Sequence, residues 1–143
     1  MDLLLWRHAE AADGRDDLAR TLTRRGHEQA RAMAKWLRKN MPENIRVLVS
    51  PARRAQETAA PLDLEIETIA EIAPDAAPAA LIAAAGWPDA ERAVLIVGHQ
   101  PTLGETAAHI LGPKGHRLRV RKGAIIWLKS PRELVVVMEP EML

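Results

Sequence analysis

Short apolar runs alternate with longer amphipathic stretches along most of the chain. A short apolar run bounded by polar or turn-forming residues is typical of a buried strand. Six such runs predict strands: Leu3 to Trp6, Ile45 to Val49, Leu64 to Ile69, Ala93 to Val97, Ala124 to Leu128 and Leu134 to Met138. Helical patterns follow the first four runs, whereas the last two runs succeed each other without a helix between them.

The clearest helical pattern covers Arg24 to Met41. Its apolar residues recur on one face, at Ala30, Ala34, Leu37 and Met41. Thr23 is a suitable N-cap, because its hydroxyl can accept a hydrogen bond from a free N–H of the first turn. Three shorter helices are predicted from Ser50 (N-cap, with Pro51 in the first turn) to about Pro61, from Pro78 to Gly86, and from Thr102 to Leu111.

This order of elements predicts an α/β fold. Strands that alternate with helices form parallel pairs, and the crossover helices then cover the faces of the sheet. We therefore expect a mostly parallel central sheet with helices on both faces. A length of 143 residues suits one core, so residues 1–143 are expected to form a single compact domain.

Composition and charge narrow the function classes. Hydrophobic residues make up 48% and charged residues 27%, as in an ordinary globular protein and unlike a disordered chain. The absence of cysteine excludes disulfides, thiolate metal sites and a cysteine nucleophile. A net charge of +1 and the absence of Phe and Tyr argue against a nucleic-acid partner. No apolar run approaches the ~18 residues of a membrane span, and no signal peptide is evident, so a cytoplasmic protein without membrane partners is expected.

One segment is strongly basic in spite of the balanced total charge. Residues 114–122 hold five Lys or Arg, and Arg117, Arg119 and Arg121 alternate as they would on one face of a strand. The favoured interpretation is an edge strand that its charges protect from aggregation. A docking surface for an acidic protein or for nucleic acid is the alternative.

Unusual residues follow three of the predicted strands. Arg7 and His8 follow the first, Ser50-Pro51-Ala52-Arg53-Arg54 the second, and Gly98-His99 the fourth. Ligands of open α/β sheets bind beyond the carboxyl ends of the strands, so these groups should converge on one site. Guanidinium groups and a helix N-terminus suit a phosphoryl dianion, and a neutral imidazole is a competent nucleophile toward phosphorus.

Each group has a structural interpretation when it is taken alone. A histidine at a strand end is often only hydrogen-bonded, Ser-Pro-x-x-Arg is often a helix start, and a glycine after a strand is often a turn. The combination at three strand ends of one small domain favours a functional site.

The same residues resemble those of the histidine phosphatase superfamily. The resemblance rests on Arg-His after the first strand, Leu22-Thr23 with Gly26 ahead of the long helix, Ser-Pro-x-x-Arg-Ala followed by Thr58, and Gly-His-x-Pro-x-Leu from Gly98 onward. The start Arg-His-Ala-Glu-Ala and the small size are similar to the compact, SixA-like branch of phosphohistidine phosphatases. About the first 110 residues take part in the resemblance, with Ala9 where many members carry Gly.

The resemblance implies a role for each motif residue. His8 would be the nucleophile, transiently phosphorylated, while Arg7, Arg54 and His99 would bind the phosphoryl oxygens. The family arginine is the fourth residue after the serine, which selects Arg54 and leaves Arg53 as a solvated side chain. Independently of the resemblance, Ser50 is expected to contribute to phosphate binding as the cap of a helix whose N-terminal backbone N–H groups point at the phosphoryl group. No metal and no cofactor are expected.

The proton donor for the leaving group is left open. Ile69-Ala70-Glu71 resembles the segment that carries a glutamate general acid in larger relatives, so Glu71 is the candidate acid. An exposed loop carboxylate is the alternative interpretation. Glu10 and Glu105 lie near the motifs and are weaker candidates.

The main hypothesis is a metal-independent phosphohistidine phosphatase that acts on a phosphorylated protein such as a phosphotransfer domain. Two alternatives keep the same pocket: a phosphatase of small phosphate esters, and a non-catalytic module that binds phosphoproteins. A histidine metal site is disfavoured, because the spacings among the five histidines match no known ligand set: His8, His27, His99, His109 and His116.

Overall fold

A six-stranded sheet forms the centre of the computed structural model, which describes residues 1–112 and 118–143. The strand order across the sheet is β3-β2-β4-β1-β5-β6. The strands are β1 (Asp2–Arg7), β2 (Arg46–Val49), β3 (Glu67–Thr68), β4 (Val94–Gly98), β5 (Ile125–Lys129) and β6 (Glu133–Met138). β1 to β4 pair in parallel, whereas β5 and β6 are antiparallel to their neighbours. The prediction of a mostly parallel sheet is confirmed.

Four helices cover the two faces of this sheet: α1 (Arg24–Asn40), α2 (Arg53–Ala59), α3 (Pro78–Ala85) and α4 (Thr102–Leu111). Alternate residues of β1 point to opposite faces. Leu4 and Trp6 pack in the core layer under α1 and α2, while Leu3 and Leu5 pack in the layer under α3 and α4. The prediction of helices on both faces is therefore confirmed. In the described part of the chain, no helix combines the length and apolarity that a membrane crossing needs.

Two predicted elements are shorter than the sequence pattern indicated. The third strand, predicted from Leu64 to Ile69, contains only Glu67 and Thr68. It lies at the edge of the sheet and pairs with β2 alone, and Leu64 remains largely exposed. α2 begins at Arg53 with Ala52 as its N-cap, so the prediction of Ser50 as the helix cap is wrong. Residues 51 and 52 form a bend, and the Ser50 hydroxyl accepts a hydrogen bond from the Ala52 N–H, 3.2 Å away, before the helix starts.

The basic segment also departs from its prediction. Its described residues, 118–122, form no strand. They run instead as an irregular connection into β5, with Val120 buried between the exposed Arg119 and Arg121. The first part of the segment, which includes Arg117, lies outside the described residues.

Gly26 brings α1 against the chain that leaves β1. The Thr23 hydroxyl accepts a hydrogen bond from the Gly26 N–H at 3.0 Å, which confirms the predicted N-cap. A Cβ atom on Gly26 would stand 2.0 Å from the carbonyl oxygen of Glu10. Only glycine permits this approach, so the start of α1 packs directly against the backbone that follows His8.

Candidate active site

His8 and His99 lie side by side because β1 and β4 are neighbouring parallel strands. Arg7 is paired with Gly98 in the sheet, and the next residue on each strand is a histidine. The two ring centroids are 5.3 Å apart. The predicted convergence of the strand ends is therefore present.

Hydrogen bonds fix the tautomer of His8. Its Nδ1 lies 2.8 Å from the carbonyl oxygen of Ala9, and because a carbonyl only accepts, Nδ1 carries the hydrogen. Nε2 of the neutral ring then has a free lone pair. The Ala9 N–H donates to the Thr58 hydroxyl at 3.0 Å, and that hydroxyl donates to the Arg54 carbonyl at 2.7 Å. Thr58 thus joins the first motif to the second.

Burial keeps His8 neutral. Desolvation lowers its pKa to about 4, and the charges of Arg54, Arg7 and Arg20 act in the same direction. The hydrogen bond to Ala9 opposes this shift only in part. At neutral pH the ring is therefore unprotonated and lies among positive charges.

Arg54 is buried on α2, and its fork is held from outside by Asp17. Nη1 donates to the Asp17 carbonyl at 2.7 Å, and Nη2 donates to the Asp17 carboxylate at 3.2 Å. Hydrogen bonds from Arg20 and then from Arg54 hold the pKa of Asp17 below its usual value. Arg53, one residue earlier, is exposed and pairs with Glu57 at 3.4 Å. The structure thus turns Arg54, and not Arg53, toward the pocket.

Arg7 approaches the same site from the end of β1. Its Nη1 donates to the Val120 carbonyl at 2.9 Å, and burial lowers the pKa of its guanidinium. One edge of the fork is thereby fixed to the segment before β5.

Ser50 contacts His99. The Ser50 Oγ is 2.7 Å from His99 Nε2 and already accepts from the Ala52 N–H. We assign the Ser50 hydroxyl as the donor to Nε2, an arrangement that places the ring hydrogen of neutral His99 on Nδ1. Burial, followed by the neighbouring His8, lowers the pKa of His99 to about 3. Ser50 therefore acts on the site by orienting His99.

The residues around His8 include buried side-chain nitrogens that lack a hydrogen-bond partner. Among the described residues, three buried side-chain nitrogens have no hydrogen-bond acceptor: Nε of Arg7, Nε of Arg54 and Nδ1 of His99. An unsatisfied buried donor costs about 1–3 kcal/mol, so each such group in a native protein calls for an explanation, such as a catalytic role or a bound ion. All three residues line one pocket of about 390 Å³ together with His8. The pocket suits an anion that bears several acceptor oxygens.

Glu71 lies outside this pocket. It is exposed on a 3-10 turn, Ala70–Ile72, and does not contribute to the lining. Glu10 and Glu105 do not line it either. Glu10 accepts a hydrogen bond from the Thr23 hydroxyl at 2.9 Å, which gives this carboxylate a structural partner.

Five charged lining residues were not predicted as site residues: Asp13, Asp17, Arg20, Asp75 and Lys122. They lie on loops, so no strand-end rule places them. Asp75 follows Glu71 by four residues and has a positive φ of 68°, a backbone conformation for which Asp is better suited than most residues. The corresponding signal in the sequence is Pro74-Asp75, since both residue types are common in turns.

No group of three His, Asp or Glu side chains within residues 1–112 and 118–143 is arranged to hold a metal ion. Metal independence remains a prediction.

Comparison with known proteins agrees with this geometry. The sequence profile of the histidine phosphatase superfamily (branch 1) matches residues 3–77, just over half of the chain. The chain belongs to the histidine phosphatase superfamily. It falls in the SixA-like branch, as the next comparisons show.

Phosphohistidine phosphatase SixA of Escherichia coli K12 is 34% identical over 119 residues, which cover 77% of this chain and 74% of that protein. Its homologue in Haemophilus influenzae is 32% identical over 130 residues, 80% of this chain and 79% of that protein. A solved structure of the protein histidine phosphatase SixA complexed with tungstate superposes with a TM-score of 0.79 at 30% identity, covering 99% of both chains.

The buried neutral histidines should make stability depend on pH. Unfolded histidine has a pKa of about 6.5, so as the pH falls the unfolded chain takes up protons before His8 does. The free energy of unfolding should therefore decrease between pH 6.5 and about 4, by up to about 1.4 kcal/mol per pH unit for each such histidine. Urea unfolding at a series of pH values measures this slope.

His8→Gln should flatten the slope, whereas His109→Gln, at an exposed position on α4, should leave it unchanged. Equal slopes for His8→Gln and the unmodified protein would contradict the assignment of a neutral His8.

Proposed function

We propose that this protein is a phosphohistidine phosphatase that acts on phosphorylated proteins, with His8 as its nucleophile. The observation that carries the proposal is the set of three unpartnered buried donors, from Arg7, Arg54 and His99, around the neutral His8. A phosphoryl group offers three oxygens to such a set. The tungstate bound by the related SixA is a tetrahedral oxyanion of similar shape.

In the first step, Nε2 of His8 attacks phosphorus, and the bond between phosphorus and the substrate nitrogen breaks. The two guanidinium groups and the N–H of His99 stabilise the charge on the phosphoryl oxygens, where a preorganised donor is worth most. The hydrogen bond from Nδ1 to the Ala9 carbonyl supports the positive charge that develops on the His8 ring.

The departing imidazole accepts its proton at the ring nitrogen that was not bonded to phosphorus. That nitrogen is remote from the breaking bond and open to solvent, so no acid needs to stand beside the leaving atom. In the second step, water attacks the phosphorylated His8, inorganic phosphate leaves, and His8 returns to its neutral form. This chemistry suits a pocket that does not contain Glu71.

A protein substrate is favoured by the short connections around the pocket. Only residues 69–77 separate β3 from α3, so no inserted lid covers the site from that side. The Asp17 side chain at the pocket is 56% exposed. A phosphohistidine on the surface of a folded partner can therefore approach His8.

Brief reaction with a phosphohistidine peptide carrying labelled phosphate should leave label on His8. Phosphate on nitrogen is labile in acid and stable in alkali, so the label should be lost in acid and retained in alkali. His8→Ala should retain no label and show no turnover, while His109→Ala should behave as the unmodified protein. Acid-stable label would disprove the nucleophile assignment, and tight binding without turnover would instead favour a non-catalytic phosphoprotein-binding module.

Arg54 and Arg53 provide a matched pair on α2. Arg54→Ala removes a donor from the buried oxyanion site and should lower kcat/KM by about 100- to 1000-fold. Arg53→Ala removes an equal charge from an exposed, ion-paired position and should change kcat/KM less than about twofold. Steady-state kinetics with a phosphohistidine peptide tests both, with urea unfolding to verify that each variant is folded. A larger loss for Arg53→Ala would mean that the wrong arginine has been placed in the site.

A second candidate function, hydrolysis of small phosphate esters, is favoured by one observation: Asp75 is among the residues that line the pocket, whereas Glu71 is not. An alkoxide leaving group needs a proton at the breaking bond, which a carboxylic acid can supply. Asp75→Asn should then slow an alkyl phosphate far more than p-nitrophenyl phosphate or a phosphohistidine peptide. Glu71→Gln should leave all three rates unchanged, and a selective loss in this variant would restore Glu71 as the acid.

A further inference from the structure

We propose that a basic groove beside the active site binds acidic residues that flank the phosphohistidine of a substrate protein. This inference rests on the proposed function and specifies its partner. Within the described residues, the basic groove is defined by Arg25, Arg119, Arg121 and Lys122, with Glu10 and Glu141 at its sides. Its volume is about 600 Å³.

The basic groove is continuous with the catalytic pocket. Arg7, Gln100 and Lys122 line both of them. A chain that presents a phosphohistidine to His8 can therefore extend its neighbouring residues into the groove without leaving the surface.

Hydrogen bonds fasten the groove to the catalytic motif. The Val120 carbonyl accepts from Arg7 Nη1 at 2.9 Å, and the Gly123 N–H donates to the His8 carbonyl at 3.1 Å. Val120 is buried, so the backbone that carries the exposed Arg119 and Arg121 is fixed relative to His8. A docking surface needs this preorganisation, because ordering a flexible loop would reduce affinity.

The charge of the groove favours an acidic ligand. The lining of the groove holds Arg7 and the four cationic residues that define the groove, against only two carboxylates. Arg25 approaches Glu141 only to 4.0 Å, and Arg121 stands 3.7 Å from Glu139, distances typical of weak surface pairs. In the part of the chain that the structure describes, no carboxylate lies within 4.0 Å of Arg119 or Lys122.

A protein partner fits this groove better than a nucleic acid does. Single-stranded nucleic acids bind to grooves that combine positive charge with aromatic side chains on which bases stack. None of the residues that line the groove is aromatic, and the chain has no Phe or Tyr. Carboxylates need no stacking surface, because guanidinium forks bind them directly.

The test compares two synthetic phosphohistidine peptides that differ only in the flanking residues, which are Glu in one and Gln in the other. The expected kcat/KM is about tenfold higher for the Glu peptide at low ionic strength, and this preference should decrease as salt is added. The double variant Arg119→Gln/Arg121→Gln should lose the preference and retain its rate on the Gln peptide. A matched control, Lys35→Gln/Lys39→Gln, removes the same charge from exposed positions at least ten residues along α1 from Arg25 and should retain the preference.

Equal kcat/KM for the two peptides would overturn the groove proposal while leaving the phosphatase function intact. Loss of hydrolysis of both peptides by the Arg119/Arg121 variant would also overturn it, because the segment would then only support Arg7. Inhibition by a single-stranded RNA that depends on Arg119 and Arg121 would assign the groove to nucleic acid. If the unmodified protein hydrolysed neither peptide, the proposed function itself would fail.

Discussion

The site depends on the backbone of His8, which is hydrogen-bonded on both of its sides. Its N–H donates to the Gly98 carbonyl at 3.0 Å, and its carbonyl accepts from the Gly123 N–H at 3.1 Å. Parallel pairing of β1 with β4 thus sets the distance to His99, while the chain that enters β5 sets the opposite wall. Both bonds come from neighbouring strands or their extensions, so the central sheet fixes the backbone of His8.

This position also decides the chemistry of the two histidines. Burial at the end of the sheet favours the uncharged form of each ring, and the nearby arginines strengthen that preference. A protonated His8 would be a poor nucleophile and would repel the guanidinium groups. In the proposed mechanism the hydrogen bonds of the two neutral rings differ in their effect: the bond to the Ala9 carbonyl leaves Nε2 of His8 free to attack, and the bond to Ser50 leaves Nδ1 of His99 free to donate. One backbone carbonyl and one hydroxyl therefore assign opposite roles to two identical side chains.

The parts of the fold and site that follow from strand periodicity could be predicted from the sequence. Arg7, His8 and His99 are placed by parallel pairing alone, and Arg54 is placed by its spacing from Ser50 together with the family resemblance. The parts that depend on loop conformation could not. Ser50 has the composition of a helix cap, yet two bent residues separate it from α2, and its hydroxyl bonds His99. Likewise, the resemblance to larger relatives selects Glu71, whereas the turn of the chain at Asp75 places a different acidic residue at the pocket.

The basic segment shows the same limit of sequence patterns. Its contact with Arg7 also explains why arginine, and not lysine, suits the centre of the site. Alternation of Arg119 and Arg121 about Val120 is a strand pattern, but no neighbouring strand pairs with these residues, so the alternation only separates a buried anchor from two exposed charges. The Val120 carbonyl accepts a hydrogen bond from Nη1 of Arg7, and Asp17 accepts hydrogen bonds from Nη1 and Nη2 of Arg54. Among the described residues, the buried Nε–H of each of these two guanidinium groups has no partner. A guanidinium holds five donors in one rigid plane, so fixing its outer edge to the protein also fixes its inner edge for the ligand. A lysine ammonium bound to the same carbonyl would turn about its flexible stem, and the scaffold would no longer determine where its remaining donors point.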